Sequence, residues 1–316
     1  MRRLIAVFLM AVSLPLAAQD FPPRTLRIVV PFTPAGPVDV LGRILAERLA
    51  ARWKAGAIVE NRPGAGTVIG TEAVAKAAPD GTTLLLAVTS HAVNATLVEK
   101  LPFDPVKDFA PVVLAATAQN ILAVPAASSA RTLADLAALA RSQPGKLNAG
   151  SPGKGTTLHL AAEMLKSAAG IDFAIVHYKG AQPALQALLA GEVDFMFDAG
   201  TVVPQVQAGK LRALAVTGPK RSPFLPEAPT MIESGLPSFE VVSWYGLLAP
   251  AGTPRAAIEQ LNRAVNEALA EPEVRSRLAR INLEAAGGTP EELERLVREQ
   301  IARWGKAIRE AGVRAE

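Results

Sequence analysis

Short apolar runs rich in β-branched residues alternate with longer stretches whose apolar residues recur every three to four positions. That alternation constrains this chain more than any other feature. Leu26-Arg27-Ile28-Val29-Val30 is a strand-like run ended by Pro31. Val38, Leu41, Ile44, Leu45 and Leu49 then form a helical stripe. Residues 57–60 read as a second strand, 67–77 as a second helix stopped by Pro79-Asp80-Gly81, and 83–88 as a third strand. A β-α-β-α-β order implies a parallel sheet with right-handed crossovers, so the expected fold class is α/β.

The pattern then repeats. Strands are expected at 120–124, 146–149, 173–177, 193–197 and 211–216. The helices between them are expected at 132–141, with Thr132 as its cap, at 156–168 and at 183–190. A proline-rich loop leads into an extended apolar segment at 239–249. Three helices close the chain, the first opened by Thr253-Pro254 and the last by the capping box Thr289-Pro290-Glu291-Glu292. Two successive α/β units followed by a helical tail fit a two-lobed molecule, each lobe a mainly parallel sheet flanked by helices. One lobe is expected to hold residues 19–119 plus 226–316, and the other residues 120–225. A linear two-domain layout would give the same local pattern.

Residues 1–18 have the plan of a secretory signal peptide: Arg2 and Arg3, an apolar stretch over 4–14, Pro15, then Ala17-Ala18. The expected mature protein is periplasmic. Composition narrows the function. The chain has 316 residues, half of them apolar and 20% charged, which excludes a largely disordered chain. There is no cysteine, so disulfides, thiolate metal sites and cysteine nucleophiles are excluded. Only three histidines occur, and net charge is +4 with no Lys/Arg run beyond two residues. No metal, cofactor or nucleic-acid partner is expected.

Ligands of parallel α/β sheets bind beyond the C-terminal strand ends, where loops feed helix N-termini and backbone amides favour anions. Three such loops are unusual. Thr33-Pro34-Ala35-Gly36-Pro37-Val38-Asp39 follows the first strand; Asp39 is either a ligand contact or a first-turn residue suited to the helix dipole. Thr89-Ser90-His91-Ala92-Val93-Asn94 follows the third strand and brings hydroxyls and an imidazole together. Gly150-Ser151-Pro152-Gly153-Lys154-Gly155-Thr156-Thr157 resembles a phosphate loop but lacks the hydroxyl residue directly after Gly-Lys. Asp194 and Asp198 are spaced for one face of a strand, with Asp198 at the cleft end. No nucleophile elbow or zinc-protease motif occurs, so no catalytic residue is assigned.

Taken together, Val29-Val30-Pro31-Phe32 with Gly36 and Asp39, Val59-Glu60-Asn61-Arg62-Pro63-Gly64-Ala65-Gly66, Leu101-Pro102-Phe103-Asp104-Pro105, Gly209-Lys210-Leu211-Arg212-Ala213-Leu214-Ala215-Val216 and Gly246-Leu247-Leu248-Ala249-Pro250 resemble the Bug-type periplasmic receptors of tripartite tricarboxylate transporters. The resemblance spans nearly the whole chain after residue 18. It implies a Venus-flytrap fold that captures a small carboxylate between its lobes and delivers it, as a monomer, to membrane permease subunits. A periplasmic sensor presenting the ligand to a signalling protein would share that fold. Carried over by position, ligand contacts would come from Thr33, Pro34, Ala35, Gly36, Val38, Asp39, Val68, Ser90 and His91 in one lobe. Ser151, Gly153, Gly155, Thr156 and Asp198 would supply the other. The chain departs from the family at Pro37, which has no N–H, at Val38, which has no hydroxyl, and at Thr67-Val68 in place of Gly-Asn. Fewer donors suit a ligand less polar than citrate.

Overall fold

The computed structural model describes residue 22, residues 24–53 and residues 55–311. The expected signal peptide lies outside the described residues. The chain forms β1 (Leu26–Val30), α1 (Pro37–Trp53), β2 (Ala57–Asn61), α2 (Val68–Ala75), β3 (Thr83–Val88), α3 (Ser90–Leu97) and β4 (Phe109–Gln119). The second unit follows as β5 (Ile121–Pro125), α4 (Leu133–Ser142), β6 (Asn148–Ser151), α5 (Thr157–Ala169), β7 (Ala174–His177), α6 (Ala181–Ala190), β8 (Phe195–Asp198), α7 (Val203–Gln207) and β9 (Leu211–Val216). Then come β10 (Val242–Pro250), α8 (Arg255–Ala270), α9 (Pro272–Ala279), β11 (Glu284–Ala285) and α10 (Pro290–Ala311).

These strands build two sheets, ordered β11-β4-β10-β3-β1-β2 and β7-β6-β8-β5-β9. Each sheet is mixed. β1 pairs in parallel with β2 and β3, and β6 with β7 and β8, as crossover units must. β10 runs antiparallel to β3 and β4, and β5 antiparallel to β8 and β9. The reason is topological: β4 and β5 are one extended stretch, broken only at Asn120, that leaves one sheet and enters the other. The return path leaves β9 at Val216. Thr230 bridges Val216 in parallel, so the segment beyond residue 217 lies along the second sheet before reaching β10.

Asn120 is the crossing point and is fully buried. Its backbone N–H donates to Thr217 Oγ1 (2.9 Å), its carbonyl accepts from Thr217 N (2.9 Å), and its amide donates to the Val241 carbonyl (3.0 Å). Ser243 Oγ donates to its side-chain oxygen at 3.0 Å. Both crossing strands are therefore stitched by buried polar groups that have no unmet partner at Asn120.

Helix faces follow the sequence stripes. Leu41, Ile44, Leu45 and Leu49 of α1 and Ile258, Leu261, Val265 and Leu269 of α8 pack on one face of the first sheet. Leu293, Val297, Trp304 and Ile308 of α10 join the core on the other face. That core runs on into α5 of the second unit through Leu158 and Leu165, so the lobes share one apolar cluster. Among the described residues no helix is long and apolar enough to cross a membrane.

Candidate functional site

Strand direction decides where the site lies. Val30 pairs with Asn61, and Val88 pairs with Tyr245 beside the start of β10, so the C-terminal ends of β1, β2 and β3 point toward the crossing strands. In the second sheet Asp198 pairs with Ile121, one residue past Asn120. The ends of β6 and β7 lie on the same side, with Ser151 opposite His177. The loops after these strands face each other across the crossing, and Leu97 of α3 packs directly on Gly155.

The first loop is held by Asp39. One carboxylate oxygen accepts from the Ala35 amide (3.0 Å) and Arg43 Nε (2.9 Å), the other from Arg43 Nη2 (3.0 Å) and Asn61 Nδ2 (2.9 Å). Asn61 also donates to the Phe32 carbonyl at 3.1 Å. Burial alone would raise the Asp39 pKa; the bonds from Arg43, Ala35 and Asn61 outweigh it and hold the carboxylate below its ordinary range. Asp39 thus ties the loop to β2. Thr33, Pro34 and Ala35 stand exposed at the loop tip, and Val38 is buried in the first turn of α1.

Residues 64–67 carry four positive φ angles in a row, two of them at Ala65 (46°) and Thr67 (87°). A β-branched residue there is strained and needs neighbours to hold it. Thr67 Oγ1 bonds Ser90 Oγ (3.1 Å) and accepts from Asn94 Nδ2 (3.3 Å), which also donates to the Gly66 carbonyl (2.8 Å). Asn61, Thr67 and Asn94 hold this side together although the resemblance assigns none of them a ligand contact; the sequence marks Thr67 only as a departure from the family's glycine. Val68, next in line, is partly buried at the start of α2.

Ser90 joins this network, but His91 does not. Its ring lies against Phe103 and Phe109, with Nε2 donating to the Pro105 carbonyl at 2.8 Å. Burial lowers its pKa to about 4, against the smaller opposing effect of that bond. The imidazole is neutral and built into the core beneath α3.

The second lobe's loop is self-contained. Ser151 Oγ accepts from Gly153 N (3.3 Å), and Thr156 Oγ1 donates to the Gly153 carbonyl (2.8 Å) while accepting from His159 N as the cap of α5. The Gly155 amide donates to His159 Nδ1 at 3.1 Å. That bond needs a neutral ring. Burial, then the charges of His177, Lys154 and Lys166, lower the His159 pKa to about 4. Asp198 is fully buried and accepts from Gly200 N (2.6 Å), Val202 N (3.0 Å) and Thr201 Oγ1 (2.6 Å). Burial, only partly offset by these bonds, raises its pKa. Asp194 precedes β8 and accepts from Asn148 N, so the two aspartates form no pair.

Thr33 to Gly36 follow β1, Ser90 follows β3, and Ser151, Gly153, Gly155 and Thr156 lie at and beyond the end of β6; the hydroxyls of Ser90, Ser151 and Thr156 are bonded within their own lobe. Asp39 and Asp198 organise those loops from behind. Among the described residues no group of three metal-ligating side chains is present.

Residues 41–313 match the tripartite tricarboxylate transporter family receptor, TctC. The chain is 34% identical to protein BugT of Bordetella pertussis over 99% of both chains. Its fold matches R. palustris Rpa4515 with adipate at a TM-score of 0.88, with 36% identity over 93% of this chain and 99% of that one. It matches MatC from Rhodopseudomonas palustris with bound malate at 0.84, with 35% identity over 91% and 100%. Its fold also matches periplasmic binding protein BugD at a TM-score of 0.86, with 34% identity over 94% of this chain and 100% of that one. The chain belongs to the tripartite tricarboxylate transporter receptor family.

Proposed function

We propose that this protein is a periplasmic receptor that captures a small organic carboxylate between its lobes and delivers it to the membrane permease of a tripartite tricarboxylate transporter. In this reading residues 1–18 direct export. The expected division is residues 19–119 with 226–316 in one lobe and 120–225 in the other; Thr230 and Met231 still pair with Val216 of the second sheet, so the return crossing lies beyond residue 231, and a single copy suffices. The observation that carries it is the family match over residues 41–313, supported by loops at the C-terminal ends of strands in both sheets that lie beside the crossing strands. Relatives with the same fold hold adipate and malate, which supports a carboxylate here.

The ligand is a carboxylate less polar than citrate, in the range of a monocarboxylate, an aromatic acid or a long dicarboxylate. Pro37 and Val38 remove an amide and a hydroxyl from the first loop, and Thr67 spends its hydroxyl on Ser90 and Asn94. The test is a thermal-shift panel of citrate, malate, adipate and benzoate on protein refolded free of ligand. An acid at 100 times its Kd stabilises by about 2.7 kcal/mol, or roughly 4–5 °C for a chain of this size. A rise for adipate or benzoate above that for citrate is the expected result. Citrate giving the largest shift overturns the ligand assignment, and a flat panel overturns the receptor reading.

A further inference from the structure

The lobes are joined by the crossing strands, but a third connection runs through the tail. Asn282 lies between α9 and β11, buried, in the left-handed conformation at φ 58°. Its side-chain amide donates to two carbonyls at once: Gln119, the last residue of β4, at 3.2 Å, and Ala199, just past β8 in the other lobe, at 2.9 Å. Gly200 presses on it from the far side. A Cβ there would stand 2.5 Å from Asn282 Cβ and 3.0 Å from the Ile281 carbonyl. The backbone thus approaches the tail as closely as only glycine permits.

Two kinds of interlobe contact result. At the back, beside Asn120, one amide satisfies an oxygen from each lobe. Elsewhere the lobes meet through apolar contacts, Leu97 on Gly155 and the cluster that runs from α10 into α5. Opening the cleft separates these contacts first, because the strands that cross at Asn120 keep the back together. With the Asn282 amide gone, two carbonyl oxygens face each other with no donor, a buried arrangement that favours parting.

We propose that Asn282 is a positioning residue, a pin at the back of the cleft that sets how far the two lobes open and thereby how tightly the cleft holds its ligand. The affinity half of this inference rests on the receptor reading; the opening half does not.

The chain has no cysteine, so labels can be placed without background. Lys100→Cys and Lys179→Cys put one spin label on an exposed site of each lobe. In ligand-free protein, Asn282→Gly keeps the left-handed backbone and removes the amide. It is expected to shift the label separation to longer, broader values. Asn282→Asp keeps the shape and replaces the donor with an acceptor; it is expected to shift the separation further and provides a second folded variant. Adipate is expected to bind Asn282→Gly about tenfold more weakly than the parent, mainly through faster dissociation. Distributions matching the parent in both variants overturn the pin. A shifted distribution with no closure by adipate, malate or benzoate in any protein leaves the pin standing and removes the receptor reading. A shifted distribution with unchanged affinity confines Asn282 to opening and overturns its effect on ligand hold.

Discussion

The two halves of the cleft solve the same backbone problem in different ways. Both need left-handed residues in their loops. The first lobe places some of them at non-glycine residues, Ala35, Ala65 and Thr67, beside Gly64 and Gly66, whereas the second uses only glycines, Gly153, Gly155 and Gly200. The bonds that hold them differ in reach. In the second lobe Ser151, Thr156, His159 and Asp198 fasten their own loops within four residues. In the first, Asn61 reaches back 22 residues to Asp39 and Asn94 reaches 28 to Gly66. One half of the site is an agreement between distant segments, and the other is a set of local turns. Strain persists where the surrounding structure over-determines it, and the first lobe meets that condition through long-range partners.

The sharpest way to break this comparison is at Gly200. Alanine there would combine a disallowed φ of 144° with contact against Asn282 and the Ile281 carbonyl. A loss of about 3–4 kcal/mol is expected in urea unfolding, and a loss under 1 kcal/mol would show that the turn yields.

Acid comes next. His91 in one lobe and His159 in the other both fall to about 4 in the folded protein, below the ordinary 6.5. The unfolded chain therefore takes up these protons first as pH drops, so stability is full above 6.5 and is lost toward 4. About 2 kcal/mol per histidine should go between pH 7.5 and pH 5. His159→Gln is expected to flatten that slope by about half; an unchanged slope would assign the acid sensitivity elsewhere.

The smallest effect is the most diagnostic. Ala35 and Gly155 sit at nearly equal φ, 69° and 75°. Gly155→Ala is expected to cost about 1–2 kcal/mol, since a Cβ would also meet Leu97. Ala35→Gly is expected to stay within about 0.5 kcal/mol, because relieved strain and the freer unfolded chain offset each other. Equal and opposite changes would mean that Asp39 and Asn61 contribute nothing to holding the first loop.

The same difference in reach explains what the sequence disclosed. The Thr132 cap, the stripe of α1 and the Thr289 capping box that opens α10 are local patterns and were legible. So were the Gly153–Thr156 loop and the position of Asp198. β4 was not: Phe109–Gln119 is buried on much of both faces, so no period-two contrast announces it. α3 reads as a loop because its eight residues start without a side-chain cap and show no apolar stripe. The inward turn of His91 depends on Phe103 and Phe109, more than ten residues on. The Thr67–Ser90–Asn94 contacts and the antiparallel seating of β10 depend on pairings no local pattern records.

That seating of β10 has a consequence in time. A chain emerging N-terminus first holds every strand of the second sheet once Val216 is out, whereas the first sheet still lacks the strand that separates β4 from β3. Until residue 250 arrives, β3 keeps a bare apolar edge and β4 has no neighbour to join. The lobe that begins the sequence is thus the last to be completed, and it is assembled around a neighbour that is already formed.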